Sequence, residues 1–186
     1  MRDRLTLVSL GVVSMLFAGI ARAAGPDTAT VLRNLHEANQ MQMAAGQIAK
    51  VQGQTVEVQT FGATLVEDHM ATEKKVVALA AEENIDLRSS VPAPSDRMRQ
   101  LTSVKGAAFD ELFAAEMLLD SQKILAEAKT ARDKTSDDRL KFLLEVTMPV
   151  LDAHHQRARA LVDTFGPSAI GAEAAKRAAA KHRSAQ

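Results

Sequence analysis

The stretch Thr55–Glu83, TVEVQTFGATLVEDHMATEKKVVALAAEE, decides the fold class. Val58, Phe61, Leu65, Val76 and Leu79 recur at three- and four-residue steps, the signature of one helical face rather than of an alternating strand. His69 and Thr72 fall on the same stripe, and Asp68 lies at its edge. A buried imidazole is unfavourable unless it finds a hydrogen-bond partner or a metal. This helix therefore announces both an all-α core and a polar group that the core must satisfy.

The same period extends in both directions. A helix is predicted from about Thr28 to Val51, stopping near Gly53, with Leu35, Ala38, Gln42, Ala45, Gly46 and Ala49 facing inward. Past the second helix, Asp86–Thr102 carries Ser89, Ser90, Pro92, Pro94 and Ser95 and reads as a connector, with Ser95–Asp96 capping one short turn through Leu101. A third helix is expected from about Ser103 to Lys134, its core face formed by Phe109, Leu112, Phe113, Glu116, Leu119 and Asp120. A fourth runs from about Asp138 to Phe165 along Leu140, Leu144, Thr147, Leu151, His154, Ala158, Leu161 and Phe165. His154 lies nearer the stripe centre than His155. Pro149 inside this helix is expected to kink it, because proline frees the carbonyl of Glu145.

Four such helices over residues 27–166 predict an all-α four-helix bundle. The connector, fully extended, reaches ~60 Å, and a helix of this size is ~40 Å long. It can therefore carry a lengthwise crossover, and a simple up-down path also fits.

Residues 1–23 read as a cleaved signal peptide. Arg2 and Arg4 precede an uncharged stretch from Leu5 to Ile20, and Ala21-Arg22-Ala23 supplies an A-x-A site. The stretch is short of the ~20 residues that span a bilayer, so no transmembrane span is expected after cleavage. Without a cysteine anywhere in the chain a lipoprotein is excluded, and a periplasmic or otherwise exported location follows. About 163 residues then remain, enough for one domain with its own core. The full chain holds 23 basic and 23 acidic residues; removing Arg2, Asp3, Arg4 and Arg22 leaves 20 against 22. That balance gives no reason to expect a nucleic-acid partner. With no Cys there are no disulfides, and packing or a metal must hold the fold. Trp and Tyr are also absent, which removes phenolic acid–base and tyrosyl-radical chemistry. Residues 167–186 are Ala-rich, with Lys176, Arg177, Lys181 and Arg183 against Glu173. They read as a frayed or disordered basic tail, with contact to an anionic envelope component as the sharper alternative.

Each predicted helix places a polar group near its midpoint: Gln42, His69, Glu116 with Asp120, and His154. Offsets of two or three residues amount to only ~3–5 Å. One layer of two imidazoles and one or two carboxylates is therefore expected. It suits Fe, Mn or Zn, with His69 and His154 as nitrogen ligands, Asp68, Glu116 and Asp120 as carboxylates, and Gln42 behind them. The competing expectation is a self-satisfied hydrogen-bond network that sets helix register. Met41, Met43, Met70, Met117 and Met148 offer thioethers for Cu(I), but Met41 and Met43 point ~160° apart around a helix, and gap-filling is their better reading. His36 and His182 are expected to take no part. There is no phosphate-binding glycine loop, no Cys nucleophile and no Ser-His-Asp setting.

Ala38-Asn39-Gln40, Ala45-Gly46-Gln47-Ile48-Ala49, Phe61-x6-Asp68-His69, Gly106-Ala107-Ala108-Phe109-Asp110 and Met148-Pro149-x4-His154 occur in that order. With them the chain resembles an exported ferritin-like family of bacterial envelope proteins, domain of unknown function 4142, from about Val31 to Phe165. The resemblance implies a ferritin-like four-helix bundle outside the cytoplasm with no assigned function. The outer-membrane label often given to that group finds no support in alternating barrel strands. Members commonly carry Glu where this chain has Gln42, and Asp-His where it has Asp120-Ser121. The functional expectation is a non-enzymatic envelope or stress-related bundle binding one divalent transition metal. A metal-dependent oxidase or peroxide scavenger, and a metal-free scaffold, are the contrasting classes. Mass spectrometry of the exported protein is expected to find Ala24 as its first residue; an intact Met1–Ala23 segment on the exported protein would refute the cleavage site.

Overall fold

In a computed structural model the chain is described over residues 27–88 and 96–166; the signal peptide and basic tail read from the sequence lie outside those residues. The described residues form helices and no strand: α1 (Thr28–Gln52), α2 (Val56–Glu82), the short α3 (Asp96–Ser103), α4 (Ala107–Lys134) and α5 (Asp138–Phe165). None of these helices is long and apolar enough to cross a membrane.

Local chemistry sets the boundaries. Thr55 caps α2 by accepting the amide of Val58, and Asp137 caps α5 by accepting the amides of Arg139 and Leu140. The helix expected from Ser103 starts instead at Ala107. Gly106 intervenes with φ +64°, a conformation glycine reaches without a Cβ clash, and the residues up to Ser103 belong to α3. α5 continues through Pro149, whose side chain is exposed, as is that of Glu145. The carbonyl that loses its partner therefore belongs to the solvated side of the helix.

Contacts at the helix ends fix the topology. α1 and α2 form a close antiparallel pair in which Gly46 and Gly62 face each other. A Cβ on Gly46 would lie 2.6 Å from the Gly62 carbonyl oxygen, and one on Gly62 would lie 2.7 Å from that of Gly46. α4 begins where α1 ends: the Asp110 carboxylate accepts the amides of Gln54 and Thr55, both at 2.8 Å, and the Thr55 hydroxyl at 2.7 Å. α5 begins where α2 ends, with Arg139 against Glu83. Near the same end, the Thr28 hydroxyl donates to Asp137 at 3.2 Å. α1 and α5 thus run one way, and α2 and α4 the other. Joining two parallel helices obliges the connection through α3 to travel the length of the bundle, and α3 packs on α1 and α4. Of the two paths open from the sequence, the lengthwise crossover is the one adopted.

The apolar core falls into two clusters. One contains Leu32, Val76, Leu125, Leu140, Leu144 and Leu151; the other contains Phe61, Leu65, Phe109, Phe113, Met117 and Leu161. Between them in sequence position along each long helix lie buried polar residues: Asn39 and Gln42 on α1, His69 and Thr72 on α2, Ser121 on α4, and His154 on α5.

The glycine contact yields a direct test. Gly62→Ala improves helix propensity by roughly 1 kcal/mol, but its methyl group meets rigid backbone of α1 on two sides. Net destabilisation of about 1–3 kcal/mol is expected from urea unfolding. An unchanged or raised midpoint would contradict the backbone contact.

Candidate functional site

The second-helix stripe supplies the centre of the site. His69 and His154 are each 3% exposed, and their ring centroids stand 5.1 Å apart with planes inclined at 41°. Phe61 meets the His154 ring edge-on at 6.1 Å. His154 Nε2–H donates to Asp68 Oδ2 at 2.9 Å. His69 Nδ1–H donates to Asn39 Oδ1 at 3.0 Å, and Asn39 Nδ2 donates to Glu73 Oε2 at 2.9 Å. His36 Nδ1–H donates to the other oxygen of Glu73. Side chains of α1, α2 and α5 thus make two connected arms that meet where the imidazoles face each other.

These bonds assign the protons. An ionised carboxylate only accepts, so Glu73 requires the amide nitrogen of Asn39 to face it, which turns the Asn39 oxygen toward His69. His69 must then carry its proton on Nδ1, leaving Nε2 with a lone pair. Asp68 likewise accepts the Nε2–H of His154, so that Nδ1 is the acceptor nitrogen of the neutral ring. Nδ1 of His154 is buried and has no hydrogen-bond partner in the protein. Burial, and secondarily the neighbouring His154, push the pKa of His69 down from 6.5 to about 3. Both effects disfavour an imidazolium at that position.

The acidic groups expected from α4 do not join this pair. Glu116 is buried and Asp120 half-buried, and both line a small recess with Met41, Met98 and Leu101. The face of α4 that packs inward centres on Leu112, Phe113, Met117 and Ser121, so Leu119 is only partly buried. Glu116 and Asp120 consequently flank it on the side covered by α1 and α3. Gln42 is buried on α1, but Asn39 rather than Gln42 or Ala38 meets His69. Among the described residues no three His, Asp or Glu side chains gather as a metal-ligand group. The residues do not fit a carboxylate-bridged di-iron centre either. Its Glu-x-x-His pairs are missing, and the one Asp-x-x-His spacing ends on His155, which contacts Ser121, while Asp152 is held by Gln156. The methionines are equally scattered, with Met117 in one apolar cluster, Met148 against the other and Met70 exposed.

Three residues of the network were not expected from the sequence: His36, Asn39 and Glu73. A signal existed. Leu35, Asn39, Gln42 and Gly46 continue a helical stripe, and Glu73 follows His69 by four residues. Asp110, 1% exposed, was missed as well, although it closes one of the motifs quoted above.

A neutral buried imidazole makes stability depend on pH. The folded state holds the His69 pKa below its unfolded value, so protons bind the unfolded chain preferentially and stability falls as pH drops from 6.5 toward 3. The slope from this residue is at most ~1.4 kcal/mol per pH unit. Urea midpoints measured from pH 7 to pH 4 are expected to show this slope reduced by up to one proton in His69→Gln; an unchanged slope would refute the assignment.

No curated protein and no solved structure matches the chain. A family model described as a domain of unknown function, DUF4142, matches residues 17–161, from before the first described helix to near the end of the last. Because that match takes in well over half of the sequence, the chain belongs to the DUF4142 family.

Proposed function

We propose that this protein is an exported bundle of the ferritin-like type that serves the cell envelope, in a structural or stress-related role, by binding one divalent transition metal without turning over a substrate. The helix directions support the fold part of this reading: four long helices with a single lengthwise crossover are the ferritin-like arrangement. Export rests on the charged, apolar and A-x-A segments of residues 1–23. The basic residues Lys176, Arg177, Lys181 and Arg183 supply charge for an anionic envelope component.

One observation carries the metal reading. Two buried imidazoles stand side by side, and each has one ring nitrogen engaged by a protein acceptor, which leaves the other as the acceptor nitrogen of the neutral ring. A metal-dependent oxidase or scavenger is the weaker reading, because the α4 carboxylates that would ligate iron turn toward α1 and α3. His69 and His154 remain as ligands; Asp68 acts through His154.

Protein purified from the periplasm without chelator is expected to carry close to one equivalent of a transition metal and to show no peroxide or oxygen consumption. At a hundredfold excess over the dissociation constant the ion is expected to stabilise the bundle by about 2.7 kcal/mol. Less than about a tenth of an equivalent, with melting unchanged by chelation or metal addition, would overturn the reading in favour of a metal-free scaffold.

A further inference from the structure

We propose that His69 Nε2 and His154 Nδ1 form a two-nitrogen site for a single tetrahedral ion of the zinc class, its two remaining positions open to water. This inference rests on the metal reading above and specifies its ligand atoms and ion class.

The surroundings of the rings resemble a prepared zinc site. Metal-bound imidazoles characteristically donate their other N–H to a carboxylate or carbonyl oxygen, which fixes tautomer and orientation. His154 does so to Asp68, and His69 does so to the amide oxygen of Asn39, itself held by Glu73. His154 Nδ1 is a buried acceptor left over after this accounting. Buried polar atoms without partners are rare in folded proteins and call for an ion or a water.

Ring spacing selects the geometry. An ion ~2.0 Å from a ring nitrogen sits ~3 Å from that ring's centre. For one ion in line with both free nitrogens, a centroid separation of 5.1 Å corresponds to a nitrogen–metal–nitrogen angle of roughly 110°, the tetrahedral value rather than a linear or right-angled one. Donor type agrees. Two neutral nitrogens suit zinc and its neighbours in the series, whereas Mn(II) prefers carboxylate and water, and Cu(I) prefers the thioethers that lie elsewhere. Asp68 and Glu73, behind the two rings, place negative charge opposite a divalent ion; His36 lies on the far side of Glu73.

Co(II) titration of the metal-free full chain, exported and processed, tests the proposal, because four-coordinate Co(II) absorbs visible light far more strongly than six-coordinate Co(II). One equivalent is expected to give the intense four-coordinate spectrum, displaced by Zn(II) and not by Mn(II). His69→Gln and His154→Gln are each expected to weaken binding at least a hundredfold. Asn39→Leu, which frees the His69 ring, is expected to weaken it 10- to 100-fold. Glu116→Gln with Asp120→Asn is expected to leave it within twofold. A pale six-coordinate spectrum, or effective competition by Mn(II), would overturn the zinc-class site while metal binding itself stood. Uptake of no ion at all would end both readings. Should the histidine variants fail to fold, imidazole 15N shifts of the unaltered metal-free protein still decide. Protons at Nδ1 of His69 and Nε2 of His154 support the site; the opposite tautomer at either ring overturns it.

Discussion

The bundle depends on satisfying a polar layer between two apolar half-cores. Leaving a buried donor or acceptor unpaired costs about 1–3 kcal/mol each, a large fraction of a small domain's net stability. Here three helices share the burden: Asn39 from α1 bridges Glu73 and His69 of α2, and Asp68 of α2 receives His154 of α5. Apolar packing alone tolerates slippage between helices. A bond such as Asn39 to His69 does not, because sliding α1 by one turn moves the amide ~5.4 Å away. The layer therefore fixes the register that Gly46 and Gly62 then tighten.

Topology decides which polar residues can reach the layer. α2 and α4 run parallel, so their connection must pass along the outside, and α3 comes to rest on α1 and α4. Covering that seam gives α4 a second buried side. Glu116 and Asp120 take it, facing Met98 and Leu101 of α3 rather than the imidazoles. The same path returns the chain to the first loop, where Asp110 accepts three donors at the start of α2. A carboxylate there also meets the positive end of the α2 dipole, which makes burial of a charge tolerable.

The fold was largely legible in the sequence because helical periodicity is a one-dimensional signal. All seven residues read as the inner stripe of α2, from Val58 to Leu79, are buried, and α5 runs from Asp138 to Phe165 as its periodicity indicated. His154 faces inward and His155 does not share its burial, as helical angle required. The site was only half legible, since periodicity identifies a face but not its neighbour. Rotating α4 by the width of one residue exchanges Leu119 and Asp120 for Met117 and Ser121, and nothing local to that helix sets the rotation. Asn39 and Glu73 were hidden for a related reason: each is polar, each borders an apolar stripe, and each earns burial only through the other.

A structural network and a ligand site are not rival explanations of this layer. Imidazole has two nitrogens, and the fold uses one from each ring: Nδ1 of His69 toward α1, and Nε2 of His154 toward α2. Had register been the whole purpose, an amide would serve with less buried surface, as Asn39 does between Glu73 and His69. Two imidazoles in contact, with His69 kept from the charged form by its burial, carry chemistry that register does not need. The unpartnered nitrogen of His154 is the one buried atom of the imidazole pair that the layer's hydrogen bonds leave over.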